Sequence, residues 1–180
     1  LDRSERAAAE PAAVIGLEFT QPAVQSLAPA PVKEGIERQL SSLSRKQFIR
    51  PARSANADQV YRFHNYLVRE TVYNGLLKRT RANFHVEFVR WADGVNAEAD
   101  RAQEFEAILG YHLEQAYRYL GELGPHDEAG IEIGRDGSRR LASAGRRAFA
   151  RGDMHAAANL FRRAVALLAQ ARSCRSSAHS

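Results

Sequence analysis

The side chains that could carry chemistry in this sequence are few and scattered. His64, His85 and His112 are the candidates for metal ligation or proton transfer, yet each stands alone in a helical run and no two share a metal-site spacing. They read as packing or surface residues, with His112, on the apolar face of its helix, as a hydrogen-bonded core histidine. The single cysteine, Cys174, can form neither an internal disulfide nor a multi-cysteine metal site. The serines lack a G-x-S-x-G elbow, and there is no G-x-x-x-x-G-K-[ST] loop, so the backbone cradle and lysine that hold a triphosphate are missing. What remains is a set of cations in the first half: Arg45, Lys46, Arg50, Arg53, Arg62, Arg69, Lys78, Arg79 and Arg81. Such a set can neutralise phosphates, and in a winged helix it would flank a recognition helix in the DNA major groove. Ser42, Ser44, Arg45, Lys46 and Gln47 around the presumed third helix do not give a dense base-reading face. DNA binding through Arg45, Lys46, Arg50 and Arg53 is therefore the second reading and not the first.

The elements that must position these residues belong to a chain of 180 residues that is 44% hydrophobic, enough for one ordinary domain or two small ones. Its 26 Lys and Arg against 21 Asp and Glu give a formal charge of +5, a balance that permits nucleic acid without demanding it. Apolar runs end within a few residues, far short of the roughly 20 needed to cross a bilayer, so no membrane span is expected. The first residues show no secretory signal, and with one cysteine a cytoplasmic location is the default. No initiator Met begins the chain, and the expectation is a piece of something longer.

Short helical clusters over 7–15 and 24–27 are punctuated by Pro11, Gly16, Pro22, Pro29 and Pro31. Ile36, Leu40 and Leu43 then keep a helical spacing, Pro51 biases Arg50 toward extended backbone, and Val60 to Phe63 reads as the return strand of a hairpin. Three helices followed by a two-stranded wing is the order of a winged helix. From His64 to Trp91 two consecutive helices are expected, broken near Gly75 and Lys78 to Arg81. Residues 94–100, small and acidic, read as a linker. Phe105 to Leu123 predicts a helix of more than four turns, and Tyr111, Tyr117 and Tyr119 on it suit packing between helices. Gly130, Gly134 and Gly137 weaken the segment that follows, so a second pair of helices is expected to begin near Arg139 and to turn at Gly152 and Asp153. The expected organisation is a winged-helix-like domain and following helices over 1–93, the linker, a helical region over 101–171 and a flexible tail over 172–180. The fold class is mainly α.

Gly145, Phe149, Gly152, Met154, Ala157, Phe161 and Ala164 are spaced as in one tetratricopeptide repeat, which the segment resembles. The resemblance implies that Ala157 and Ala164 leave room for a partner helix while Phe161 plugs the space between repeats. A broader likeness covers nearly the whole chain. The stretches 12–19, 61–73, 76–85 and 110–116 resemble successive landmarks of the region after the ATPase core in bacterial STAND-type signalling ATPases, often joined to class III adenylate or guanylate cyclase domains. That resemblance implies a winged helix, a helical arm and tetratricopeptide-like helical hairpins. It implies a non-catalytic regulatory segment whose partners are its own ATPase core and another protein, with self-association if the last repeat is uncovered. No cofactor belongs to this chain, and ATP or ADP would bind only with the missing core. The family motif F-x-H-A-L-I-R-D is matched by Phe63, Leu67, Val68 and Arg69, with Glu70 in place of Asp and Asn65 in place of the histidine. The resemblance makes Asn65 and Arg69 the nucleotide-facing candidates. The catalytic and metal-ligating sets are empty.

Overall fold

The structure, a computed structural model, describes residues 1–52, 59–98 and 105–177. The backbone is mainly α and divides into two compact units, Leu1–Trp91 and Ala92–Ser180.

Unit 1 starts with α1 (Arg3–Ile15), whose first turn is closed by a capping box: Asp2 Oδ1 accepts from the Glu5 amide, and Glu5 Oε2 accepts from the Asp2 amide. Pro11 lies inside this helix and is buried. After Gly16 come β1 (Glu18–Thr20), α2 (Gln21–Leu27), the short α3 (Ala30–Lys33) and α4 (Ile36–Arg45). The spacing read in α4 is what the core uses, since Ile36, Leu40 and Leu43 are all buried. Gln47, with φ of 62°, turns the chain after α4, and the Phe48 amide closes back on the Leu43 carbonyl at 3.0 Å. Strands β2 (Ile49–Ala52) and β3 (Val60–Phe63) form the expected wing, whose connecting residues 53–58, with the turn read over 54–58, lie outside the described residues. The sheet has a third strand that the sequence reading lacked. β1 pairs antiparallel with the other side of β3, Phe19 opposite Tyr61, in the order β1-β3-β2. Four helices and three short strands make up this part of unit 1, with Phe63 fully buried and its ring 5.4 Å from that of Phe19.

Helices α5 (Tyr66–Asn74) and α6 (Lys78–Glu98) follow. The break falls over Gly75 to Leu77, and Lys78 to Arg81 form the first turn of α6 instead of extending the bend. A buried bond of 2.9 Å between the Tyr73 hydroxyl and His85 Nε2 ties the two helices, so His85 has the packing role expected of it. Helix α6 continues through residues 94–98, which corrects the reading of a linker there; residues 99–104 lie outside the described part. The physical reason is that one glycine costs a helix only about 1 kcal/mol and no proline follows it. The division between units accordingly falls inside a helix.

Unit 2 contains α7 (Glu106–Gly121), α8 (Glu128–Ala150) and α9 (Met154–Ser177). The tail expected over 172–180 is helical as far as Ser177, because no glycine or proline after Gly152 interrupts it. Helix α8 begins eleven residues before the expected Arg139, capped by Asp127, whose Oδ1 accepts from the Gly130 amide at 2.8 Å. Its glycines are sites of close approach and not weak points. A Cβ on Gly134 would lie 2.8 Å from the Tyr117 ring, and one on Gly137 would lie 2.9 Å from Leu167 and 3.1 Å from Leu113. Tyr117, Leu141, Ala164 and Leu167 form the core between the three helices. Gly94, by contrast, has nothing within 4 Å of its missing Cβ.

Two alanine substitutions should therefore move stability in opposite directions. Gly134→Ala is expected to lower the unfolding free energy by about 1–2 kcal/mol through overpacking. Gly94→Ala should raise it by up to about 1 kcal/mol. Urea denaturation followed by circular dichroism reads both.

Candidate functional site

A groove of about 450 Å³ in unit 1 is lined by Leu1, Arg6 and Glu10 of the N-terminal segment, Phe48 just before β2, and Val68, Thr71, Val72 and Gly75 along and after α5. Its walls are mostly apolar. The Thr71 hydroxyl donates to the Leu67 carbonyl at 2.8 Å and is already engaged. Burial pushes the Glu10 carboxyl above its usual range, against the opposing pull of Arg6. A carboxyl and a guanidinium at one end of an apolar trough can orient a small amphipathic group, but these lining residues include no nucleophile–base pair.

Arg69, expected to face nucleotide, points inward. Its Nε donates to the Ala13 carbonyl at 2.8 Å, its Nη1 pairs with Glu70 at 2.8 Å, and its guanidinium lies 4.7 Å from the centre of the Tyr73 ring. With only 14% of the side chain exposed, Arg69 braces α1 against α5. Asn65 is exposed but serves as the N-cap of α5, its Oδ1 accepting from the Val68 amide at 2.9 Å.

The cations proposed for DNA divide in the same way. Lys46 Nζ reaches Glu5 Oε1 at 2.6 Å, whereas Arg45 at the end of α4 and Arg50 on β2 are exposed and make no ion pair among the described residues. Arg53 lies outside the described residues. Glu5 is not among the residues read from the sequence, although Asp2-x-x-Glu5 has the spacing of a capping box. Buried beneath α4, its carboxylate also accepts from the Ser42 hydroxyl at 2.8 Å. The Lys46 hydrogen bond, then the Asp2 amide and the Ser42 hydroxyl, hold the Glu5 carboxyl down to about 2.

In unit 2 the packing set is only partly brought together. Ala157 and Ala164 are buried, and a Cβ on Gly145 would meet the Phe161 ring at 2.9 Å, so ring and glycine fit as expected. Gly152 takes a φ of +80° at the turn, a conformation that favours glycine. Phe149 and Met154 are not packed: they are 61% and 51% exposed. The motif fixes their spacing, but among the described residues no helix of unit 2 covers that end of the α8–α9 hairpin. Tyr117 and Tyr119 are buried as expected, while Tyr111 is 39% exposed with Arg163 above its ring.

Comparison with known proteins adds no name to this geometry. No family model, curated protein or solved structure matches the chain.

Further ionic detail in unit 2 is structural. Arg140 grips Asp93 with two bonds of 3.0 and 2.8 Å and also reaches Glu106 and Asp136, both at 3.2 Å. Arg163 holds Glu114 at 2.6 Å, and the Ser138 hydroxyl donates to the Ala164 carbonyl at 2.7 Å. Among the described residues no cluster of His, Cys, Asp and Glu could hold a metal ion, and no helix is long and apolar enough to cross a membrane.

The depressed Glu5 carboxyl gives a pH prediction. Its contribution is complete above the ordinary value of 4.5 and is lost as the pH falls through about 2. Glu5→Gln should flatten the pH dependence of unfolding between those values, as read by thermal melts from pH 5 to 2. The Arg69 geometry predicts that Arg69→Ala loses about 1–3 kcal/mol of stability, since a charged hydrogen bond goes and the buried Ala13 carbonyl is left unpaired. A chemical melt at neutral pH checks it; unchanged stability would contradict the brace.

Proposed function

We propose that this chain is a non-catalytic regulatory and protein-interaction segment of a larger ATP-binding signalling protein, the STAND-type or cyclase-associated kind that its sequence resembles. In this reading the winged-helix-like unit contacts an ATPase core outside the chain. The tetratricopeptide-like hairpin of α8 and α9 receives another protein. The whole works in the cytoplasm, and ATP or ADP enters only with the core. One observation carries the reading. The polar groups best placed for chemistry are spent inside the fold, Arg69 on the Ala13 carbonyl and Lys46 on Glu5, while the hairpin leaves Phe149, Met154 and Val165 open.

A second reading, a DNA-binding regulator, draws support from α4, where Arg38, Ser41 and Arg45 lie exposed at helical spacing with Arg50 nearby on the wing. Glu37, exposed on the same helix, and the tied Lys46 count against a strong phosphate-binding face.

Titration of the chain with labelled ATP, ADP and generic duplex DNA at low and moderate salt separates the two, with the mass in solution measured alongside. The regulatory reading expects no binding of any of the three. Duplex binding that weakens with salt, and weakens further in Arg45→Glu, would overturn it in favour of the second, because neutralised phosphates release counterions.

A further inference from the structure

Helix α9 carries two apolar seams. Ala157, Leu160, Ala164, Leu167 and Ala171 repeat at three and four residues and face the unit 2 core. One residue out of step, Met154, Ala158, Phe161, Val165 and Leu168 repeat with the same spacing on the adjoining face. Of these, Met154 is 51% and Val165 68% exposed, and Phe161 and Leu168 are half-buried. Phe161 rests on Gly145 of α8, and Phe149, one turn beyond that glycine, extends the same apolar strip to the turn. The second seam is thus long and continuous and, among the described residues, is covered only where Phe161 meets α8.

What surrounds the seam decides its occupant. From Arg139 to Ser177 the sequence has nine arginines and one acid, Asp153. That acid is used at the turn, its Oδ1 accepting from the Ala156 amide at 2.9 Å. Arg163 is consumed by Glu114. Arg146, Arg151, Arg162 and Arg172 are exposed and make no ion pair among the described residues. Three of them stand beside the seam or its end: Arg162 follows Phe161 and precedes Val165 by three, Arg172 follows Leu168 by four, and Arg146 precedes Phe149 by three. A second copy of the chain related by a two-fold axis would set arginine against arginine, since the seam has no acid of its own to answer them.

We infer that the outer seam of α9 docks an acidic amphipathic helix of a separate protein, one with apolar residues at heptad spacing and Asp or Glu on its flanks. Apolar side chains fill the strip between Phe149 and Leu168, and the carboxylates meet Arg146, Arg162 and Arg172. This deepens the proposed function and rests on its reading of the hairpin as a protein-binding platform.

The test uses the full chain and three fluorescent probes: a ~20-residue helical peptide with Leu at heptad positions and Glu on its flanks, the same peptide with Lys on its flanks, and a short DNA duplex. Anisotropy should show saturable binding of the Glu peptide, at least about tenfold weaker binding of the Lys peptide, and a similar loss in Val165→Asp and Arg162→Glu chains. Both substitutions are at exposed positions, and circular dichroism verifies that each variant is folded. No binding of the Glu peptide, equal binding of both peptides, or binding of the duplex alone would overturn the assignment, as would a wild-type dimer that blocks the peptide. Loss of this surface without salt-dependent duplex binding leaves the regulatory reading intact. Duplex binding that depends on Arg45 removes that reading itself.

Discussion

The close approach of α8 to its two neighbours is the constraint on which unit 2 depends. Without side chains at Gly134, Gly137 and Gly145, the Tyr117 ring, the Leu113 and Leu167 side chains and the Phe161 ring can sit against the backbone of α8. The Ser138 hydroxyl reaches across to the Ala164 carbonyl and locks α9 to the same face. Apart from Phe161 against Gly145, α9 is held along its inner seam, and Met154 and Val165 of the second seam are left at the surface. Interior packing and the exposed apolar seam are two consequences of one arrangement: small residues on α8, and α9 with two faces out of step by one residue.

Unit 1 shows the other side of the account. Residue types that suggest chemistry in a sequence act here as struts. Glu5 gathers Lys46, Ser42 and the Asp2 amide and so joins the start of α1 to the end of α4. Arg69 fastens α5 to the end of α1, Asn65 caps α5, and the pair Tyr73 and His85 seals α5 against α6. A buried or half-buried ion needs its partners within reach, so a side chain fully engaged in this way is not free to serve a ligand without releasing another group.

Much of the fold was legible because it rests on local rules. The spacing of Ile36, Leu40 and Leu43 marked α4, Pro51 marked extended backbone, and the small and aromatic pattern around Gly145 and Phe161 marked a hairpin. The failures have physical causes as well. Gly130, Gly134 and Gly137 lower helix propensity by themselves, and only the neighbouring helices turn that loss into a packing gain. Strand β1 has three residues, too few for an alternating pattern, and exists because β3 offers a free edge. The spacing that marked Phe149 and Met154 as packed could not say whether a further helix would cover them, and the match of Arg69 to a family motif could not say which way its guanidinium turns. The arginine-rimmed seam could have been found earlier by reading α9 for two apolar repeats in place of one.

In the proposed function, this chain acts by presenting α9 to an acidic helix and not by chemistry of its own. Backbone amide shifts in nuclear magnetic resonance, recorded with and without a Glu-flanked amphipathic peptide, test it residue by residue. The account predicts saturable shifts from residues 145–172 with unit 1 unmoved. Shifts confined to the groove between α1 and α5, or none at saturating peptide, would contradict it.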